Sequence, residues 1–393
     1  MNITYLFIYL YLIFKPFYIF KSGGMQPADF FLVLSFVFIF LNNNNKMSIK
    51  KFFNENFYFL LFVVLTFVIN GIYFIIYLKT KFILSSLYFL FNFMAIIVFS
   101  FVFCEEKITK NVSNIFKFNI VVQLIIYFLG IGKWYGFTRY MGTFNDPNQF
   151  GYYILMCFSF VYLTSLRFKD YKGWFLYLIL SLFLIFLCAS TGMFLAFLIM
   201  VFLLSFDLIK NISRFIYRNK VKIFLFLLFI IPLLLISFLI FEDSNKFKLD
   251  NVLILNRIIE KINKADSNGS SVSLVQERGY DRFIYYPQYI LFGSGEGEYT
   301  RFEKTYHQDE IHATFPSILF YYGIIPTLIL FKWIFSKIKK SKFKVLIPIL
   351  AIFIESFTLL NQRQSMFWII ILYVFYINND FYKEKKNEDS FCS

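Results

Sequence analysis

The sequence predicts an all-α polytopic membrane protein, and two features of its composition support that class. Of the 393 residues, 59% are hydrophobic and only 16% are charged. The apolar residues form runs of about 17 to 25, the length at which an α-helix crosses a bilayer. The lysines and arginines, which give a net charge of +15, lie between these runs. That placement is typical of positive-inside anchors rather than of a nucleic-acid surface, so no nucleic-acid partner is expected.

About twelve candidate transmembrane helices can be counted along the chain. They lie at about residues 3–20, 25–41, 57–78, 82–103, 115–132, 149–166, 173–189, 192–208, 221–241, 312–334, 344–360 and 365–378. The chain then has four parts: helices one to nine (1–241), one large loop (242–311), helices ten to twelve (312–378) and a tail (379–393). The first run lacks a basic start and a small-residue cleavage site, so we expect it to be a retained helix.

The charges in the predicted loops assign an orientation. With both termini in the cytoplasm, the inner loops carry far more lysine and arginine than the short outer loops. The large loop and residues 139–148 then face outward. Within the large loop, residues 246–265 place apolar side chains at helical spacing, which predicts an amphipathic helix at the membrane interface.

A polar segment precedes the sixth predicted span, in the stretch RYMGTFNDPNQFGYY (139–153). Asp146 can cap a helix, Pro147 suits its first position, and Gln149 can complete a capping box. These residues are explained by a helix start alone. Because helix amides and a nearby arginine favour anions, Arg139 also makes this a candidate phosphate site. Three further side chains of the segment are secondary candidates for it: Asn145, Asp146 and Asn148.

A second group of charges lies late in the large loop. Arg278 and Arg282 are four residues apart, so in a helix they share one face and can act as an anion clamp. Since Glu277 and Asp281 are interleaved with them, a salt-bridged solvated face is an alternative of similar weight. The GSGEG segment that follows (293–297) predicts a mobile turn before a lid.

The two histidines of the chain, His307 and His312, both precede the tenth predicted span. Histidine titrates near neutrality and is the usual general base for removing a hydroxyl proton. We expect His312 to be the base and His307 to be the less favoured duplicate. Glu310 and Arg363 are secondary site candidates. No spacing typical of a metal site occurs, so no metal and no cofactor are expected.

These motifs resemble those of the bacterial O-antigen polymerase and O-antigen ligase superfamily, particularly the Wzy-type polysaccharide polymerases. Four segments carry the resemblance: RYMGTFNDPNQFGYYIL, RFIYYPQYILFGSGEGEY, EIHATFPSILFYYGIIP and the N-terminal KPFYIFKSGGMQPADFF. The layout of about twelve spans with one large late loop is also similar. Two segments depart from the family pattern. The usual His-Asn is His312-Ala313 here, and Ser190-Thr191-Gly192 stands where many members carry Ser-Arg-Gly.

The resemblance implies a membrane-embedded glycosyltransferase of the GT-C-like type, inverting and metal-independent, in the bacterial plasma (inner) membrane. Its donor would be a glycan on undecaprenyl diphosphate and its acceptor the hydroxyl of another lipid-linked repeat unit, at the outer face, in O-antigen (lipopolysaccharide) or capsule synthesis. His312 would activate the acceptor, and Arg139, Arg278 and Arg282 would hold the diphosphate. Membrane lipids, a chain-length regulator and a flippase would be its partners.

Two alternatives stay open at the level of sequence. One is an O-antigen ligase that moves finished glycan onto a lipid core. The other is a polysaccharide transporter or flippase, which would carry polar residues through its spans and broken helices in paired repeats. The clustering of polar motifs in the predicted outer loops favours an enzyme.

Overall fold

A computed structural model describes residues 3–20, 24–42, 46–136, 138–171, 173–205, 274–306 and 308–391. In these ranges the chain is mostly helical, with one short hairpin. The helices are α1 (Ile3–Phe14), α2 (Pro27–Leu41), α3 (Lys46–Glu55), α4 (Phe57–Tyr77), α5 (Lys81–Cys104), α6 (Glu106–Phe128), α7 (Pro147–Arg167), α8 (Trp174–Leu187), α9 (Thr191–Ser205), α10 (Leu274–Glu277), α11 (Arg282–Tyr285), α12 (Tyr289–Phe292), α13 (Thr314–Tyr322), α14 (Ile324–Ile338), α15 (Phe343–Glu355) and α16 (Ser365–Phe391). The hairpin pairs β1 (Lys133–Tyr135) with β2 (Arg139–Gly142) in antiparallel register.

Four of these helices are long and apolar enough to cross a membrane: α4, α5, α6 and α7. They correspond to the third to sixth predicted spans. Four other apolar helices, α1, α2, α8 and α9, have 10 to 17 residues within the described ranges. Of these, α1, α2 and α8 are shorter than the expected spans. The ninth predicted span, the amphipathic stretch 246–265 and His307 lie outside the described residues. The helical membrane class is therefore supported, while the count of twelve and the membrane orientation stay predictions.

The tenth predicted span is not one continuous helix. It breaks at Gly323, whose φ of +76° ends α13 and leads directly into α14. The hydropathy of the sequence does not predict this break, because the segments on both sides of Gly323 are apolar. A Cβ on Gly323 would lie 2.5 Å from the backbone oxygen of Leu291, so the chain approaches too closely there for any other residue.

The turn after α12 fills the break. The backbone amides of Ser294 and Gly295 donate to the carbonyls of Phe320 and Tyr321 at 3.1 and 2.8 Å. They satisfy carbonyls that the end of α13 would otherwise leave without partners. The segment 293–297 was predicted to be a mobile turn, but all five residues are buried, and Ser294 and Gly295 are hydrogen-bonded to the end of α13.

The core forms around the first half of α16, which packs against both α5 and α7. Nearly every residue of α7 is buried, so this helix is surrounded by protein. Aromatic rings fill the contact: Tyr373 of α16 stacks on Phe160 of α7 and packs against Phe103 of α5, each with a centroid distance of 4.5 Å. This central position makes the first turn of α7 a rigid platform for the residues around it.

The start of α7 forms as the sequence predicts. Asp146 Oδ1 accepts from the backbone amides of Asn148 and Gln149 at 2.8 and 3.0 Å, and Pro147 is the first helical residue. The capping box is not completed, since Gln149 Oε1 has no hydrogen-bond partner among the described residues. The hairpin before α7 was not predicted. It holds Arg139 beside the helix start.

Candidate functional site

Arg139 is oriented by two elements. Its Nη2 donates to Asn148 Oδ1 at 2.8 Å, in the first turn of α7, and its Nε donates to the carbonyl of Cys188 at 3.2 Å, after α8. Both acceptors are neutral, so these contacts position the guanidinium without neutralising its charge. Asn148, a secondary candidate for the phosphate site, thereby becomes part of the arginine's support.

Arg278 reaches the same region from the large loop. Its Nη1 donates to the carbonyl of Thr358, in the loop between α15 and α16. The carbonyl of Arg278 accepts from the backbone amide of His312 at 3.2 Å. The predicted general base is therefore adjacent to a predicted anion-binding arginine, and its side chain is exposed.

The two arginines line one cavity of about 100 Å³. It is predominantly polar and lies between the start of α7, the start of α9 and the large loop. Its lining residues are Arg139, Asn148, Ser190, Thr191, Gly192, Arg278, Thr358 and Leu359. We call it the arginine cavity. It brings together residues that are far apart in sequence, and it includes the Ser-Thr-Gly segment at which the chain departs from the family pattern.

Arg282, the second residue of the predicted clamp, does not line this cavity. Helix α10 ends at Glu277 and α11 begins at Arg282, with Gly279 at φ +72° between them. Because the two arginines are not in one helix, their four-residue spacing does not place them on one helix face. Arg282 is fully buried and donates to the Tyr321 hydroxyl at 2.9 Å and to the Asp309 carbonyl. Its position corrects the predicted clamp: Arg282 holds the loop onto α13.

Asn145 and Asp146 also have structural roles in this conformation. Lys133 Nζ donates to Asn145 Oδ1 at 2.6 Å, and Asn145 Nδ2 donates to the Phe20 carbonyl at 2.8 Å. Asp146 caps α7 as described above. Neither lines the arginine cavity, so of the three secondary candidates in this segment only Asn148 does.

Arg363, a secondary site candidate, is not an isolated cation. Its Nη2 lies 2.7 Å from Glu296 Oε1 and 2.8 Å from Glu310 Oε2, which assigns Glu310 to the same cluster. Burial acts to lower the pKa of Arg363, but the charges of Glu296 and Glu310 outweigh it and hold the pKa well above its ordinary value. One cation between two carboxylates leaves this cluster with no surplus positive charge for a substrate.

Glu296 is the residue that sequence reasoning missed. It is 1% exposed, and its carboxylate accepts from the Tyr322 hydroxyl at 2.6 Å and from Gln362 Nε2 at 3.2 Å. Its backbone amide donates to Asn70 Oδ1 at 2.8 Å. An acidic residue between two glycines, Gly295 and Gly297, was the available signal. We call Glu296, Glu310 and Arg363 the carboxylate–arginine cluster.

Within the described residues, no group of three or more His, Cys, Asp or Glu side chains is arranged to hold a metal ion. The arginine cavity offers two guanidinium ions, a neighbouring histidine and neutral hydrogen-bonding groups. Such a set suits the binding of an anion with a proton acceptor close by.

The sequence matches no protein-family model and no curated protein.

Proposed function

We propose that the protein is a polysaccharide polymerase of the Wzy type. It would transfer a glycan from undecaprenyl diphosphate to the hydroxyl of another lipid-linked repeat unit at the outer face of the bacterial plasma membrane. The observation that carries the proposal is the convergence of Arg139 and Arg278 on one polar cavity, with His312 bonded through its backbone to Arg278.

The chemistry follows from these groups. The acceptor oxygen forms a bond to the anomeric carbon while the bond from that carbon to the diphosphate oxygen breaks. The hydroxyl proton passes to His312, and the undecaprenyl diphosphate leaves as an anion. Because charge develops on the departing diphosphate, two prepositioned guanidinium ions stabilise the transition state more than the ground state.

A lipid-linked donor also needs an apolar surface beside the cavity. Helix α9 begins at Thr191, in the cavity wall, and continues with Leu195, Leu198 and Phe202 exposed on one face. The spacing of three and four residues aligns them along the helix. A polyprenyl chain lying on this face would place its diphosphate at the arginines.

The proposal is tested by deleting the gene and complementing it with variants. We expect the deletion to leave surface glycan of a single repeat unit, and His312→Ala and Arg278→Ala to restore little or no long polymer. Membrane abundance of each variant must equal that of the wild type. His307→Ala is the matched control and should restore full polymer length.

The outcomes separate the candidate functions. Loss of all glycan from the lipid core, instead of a single-repeat product, would indicate the ligase. Unchanged surface polymer in the deletion strain, or full-length polymer with both site variants, would contradict the proposed polymerase.

A transporter is the second candidate, and the break at Gly323 is the observation in its favour. Discontinuous helices and buried charges such as Glu355 are typical of transport pathways. The enzyme is favoured because the turn at Ser294 and Gly295 seals the break with backbone hydrogen bonds. Lipid-linked repeat units accumulating in the inner leaflet of the deletion strain would instead indicate the transporter.

A further inference from the structure

Helix α6 carries a polar face that the proposed function does not use. Lys110, Ser113, Asn114 and Lys117 have the spacing i, i+3, i+4 and i+7, so they form one stripe along the helix. Lys117 lies about 16 Å along the axis from the first residue of α6, at about 1.5 Å per residue. A lysine at such a depth in a candidate span is costly unless it has a polar partner.

This stripe lines a second cavity, of about 120 Å³. The cavity lies between α6, the last turns of α7 and the start of α8, and the residues that complete its wall are Val161, Thr164, Ser165, Phe168, Asp170 and Trp174. We call it the lysine cavity. Asn148 and Thr164 stand about 24 Å apart along α7, so the arginine and lysine cavities occupy opposite ends of this helix. In the predicted orientation the lysine cavity opens on the cytoplasmic side.

The charges around the lysine cavity suit a zwitterion whose anionic group meets a lysine. Lys110 Nζ is 2.5 Å from the exposed carboxylate of Glu106 and 4.8 Å from the ring centre of Phe168. Lys117 Nζ lies 5.7 Å from the ring centre of Tyr177, and no ion pair joins it to any residue in the described part of the chain. Asp170 is the carboxylate in the wall, so beside the Lys110–Glu106 pair the cavity holds one charge of each sign, on Lys117 and Asp170.

A buried donor in the wall supports the same conclusion. Ser113 is 3% exposed, and its hydroxyl has no hydrogen-bond partner among the residues that the structure describes. The hydroxyls of Thr164 and Ser165 differ, since they donate to carbonyls of α7 at 2.8 and 2.7 Å. A buried hydroxyl without a partner is unfavourable, and a ligand oxygen in the cavity would satisfy it.

We propose that the lysine cavity binds a phosphate group, presented by the headgroup of a membrane phospholipid. Lys117 and Lys110 contact the phosphate oxygens and the Ser113 hydroxyl donates to one of them. Trp174 lies in the wall, as an aromatic residue at headgroup level does in many membrane proteins. Asp170 stands where the ammonium of a zwitterionic headgroup can pair with it. The proposal is independent of glycan polymerisation.

The test is binding of phosphatidylethanolamine to the purified full chain in detergent, followed by native mass spectrometry. The variant Lys110→Gln/Lys117→Gln should bind the lipid about tenfold or more weakly, since two charge-assisted contacts are lost. The matched control is Lys339→Gln/Lys340→Gln, which removes the same charge from exposed residues after α14 and should bind as the wild type does. Equal affinity of the wild type and the cavity variant overturns the proposal.

Ser113→Ala gives a second test that does not depend on charge. The lipid-free variant should unfold at the wild-type temperature, because no protein hydrogen bond is removed, while lipid affinity falls several-fold. Unchanged affinity in this variant contradicts the role of Ser113.

Two further ligands separate the sources of phosphate. Diacylglycerol with the same acyl chains lacks the phosphate and should not displace the phospholipid. Displacement by diacylglycerol overturns the phosphate assignment. Inorganic phosphate at millimolar concentration should leave the lipid bound. Displacement of the lipid by inorganic phosphate would overturn the lipid assignment and identify a soluble phosphate as the ligand.

Discussion

Arg363 and Glu296 form an ion pair of 2.7 Å that holds the loop before α16 against the buried turn after α12. The same guanidinium binds Glu310 at 2.8 Å, in the segment that precedes α13. One arginine therefore ties together three segments that are distant in sequence. His312 follows Glu310 by two residues, so the carboxylate–arginine cluster also positions the chain that carries the proposed base.

Removing the cation of this cluster should destabilise the protein strongly. Arg363→Ala leaves the Glu296 carboxylate, 1% exposed, without its counter-ion, and breaking a buried pair in this way costs about 3–5 kcal/mol. We expect a clearly lower unfolding temperature in detergent. The control is Lys51→Gln, which breaks the exposed pair with Glu55 at 3.9 Å and should cost at most about 1 kcal/mol. Similar effects of the two substitutions would argue against a structural role for the cluster.

The two arginines of the large loop should have separable roles. Arg278→Ala is expected to lower the polymerisation rate by about 10²-fold or more, because it removes a fixed cation from the arginine cavity. Arg282→Ala should instead lower the unfolding temperature, because Arg282 is fully buried and donates to Tyr321. The measurements are turnover of purified lipid-linked repeat units and thermal unfolding of the same preparations. If Arg278→Ala were the less stable variant and kept full turnover, the assignment of these roles would be reversed.

Asn148→Asp should weaken substrate binding without unfolding the protein. Asn148 accepts from Arg139 at 2.8 Å, and an aspartate there would pair with the guanidinium and add a negative charge to the cavity wall. We expect a higher KM for the lipid diphosphate and an unfolding temperature no lower than that of the wild type. Asn145→Asp serves as the control, since that side chain lies outside the cavity. An unchanged KM would indicate that Arg139 does not meet the substrate.

Gly323→Ala should be poorly tolerated. The backbone has φ +76° there and a Cβ would lie 2.5 Å from the Leu291 oxygen, so both the dihedral angle and the space exclude a side chain. Gly130→Ala is the matched control: its φ is +69° and no atom lies within 4 Å of the added Cβ. We expect a cost of about 1–2 kcal/mol for the control, from its dihedral angle alone, and a larger one for Gly323→Ala. Equal unfolding temperatures would show that α13 and α14 can be continuous.

Stability at alkaline pH should depend on Tyr299. Burial, aided by the nearby Glu296 charge, raises the pKa of Tyr299 well above its ordinary value. Above about pH 10 the unfolded chain loses this proton and the folded chain keeps it. The contribution of Tyr299 to stability is thus constant below about pH 10 and falls by about 1.4 kcal/mol per unit above it.

The corresponding measurement compares the unfolding free energy of the wild type and Tyr299→Phe from pH 9 to 11. The phenylalanine variant should lose less stability over the alkaline part of this range. Tyr135→Phe, at a ring 60% exposed, controls for the loss of a tyrosine as such. Parallel curves for the wild type and Tyr299→Phe would contradict the raised pKa.

Local features of the chain were predictable because they depend on neighbouring residues. The third to sixth predicted spans are helices in the structure. A continuous apolar run places its backbone in an apolar environment, where a helix forms all the backbone hydrogen bonds within its own segment. The start of α7 was predictable from Asp146 and Pro147 for the same reason, since a cap acts within one turn. The lengths of the shorter helices and the break at Gly323 were not predictable from apolar runs, because hydropathy does not report backbone dihedral angles.

Composition and hydropathy alone indicate a helical chain of membrane type, with arginines beside its polar segments. Which of those arginines meet depends on the packing of the helices and loops. Arg139 and Arg278 share a cavity, Arg282 is buried against Tyr321, and Arg363 is neutralised by two carboxylates. The physical reason is that charge and spacing describe one segment at a time. The distance between guanidinium groups on different segments depends instead on how helices pack and where loops cross them.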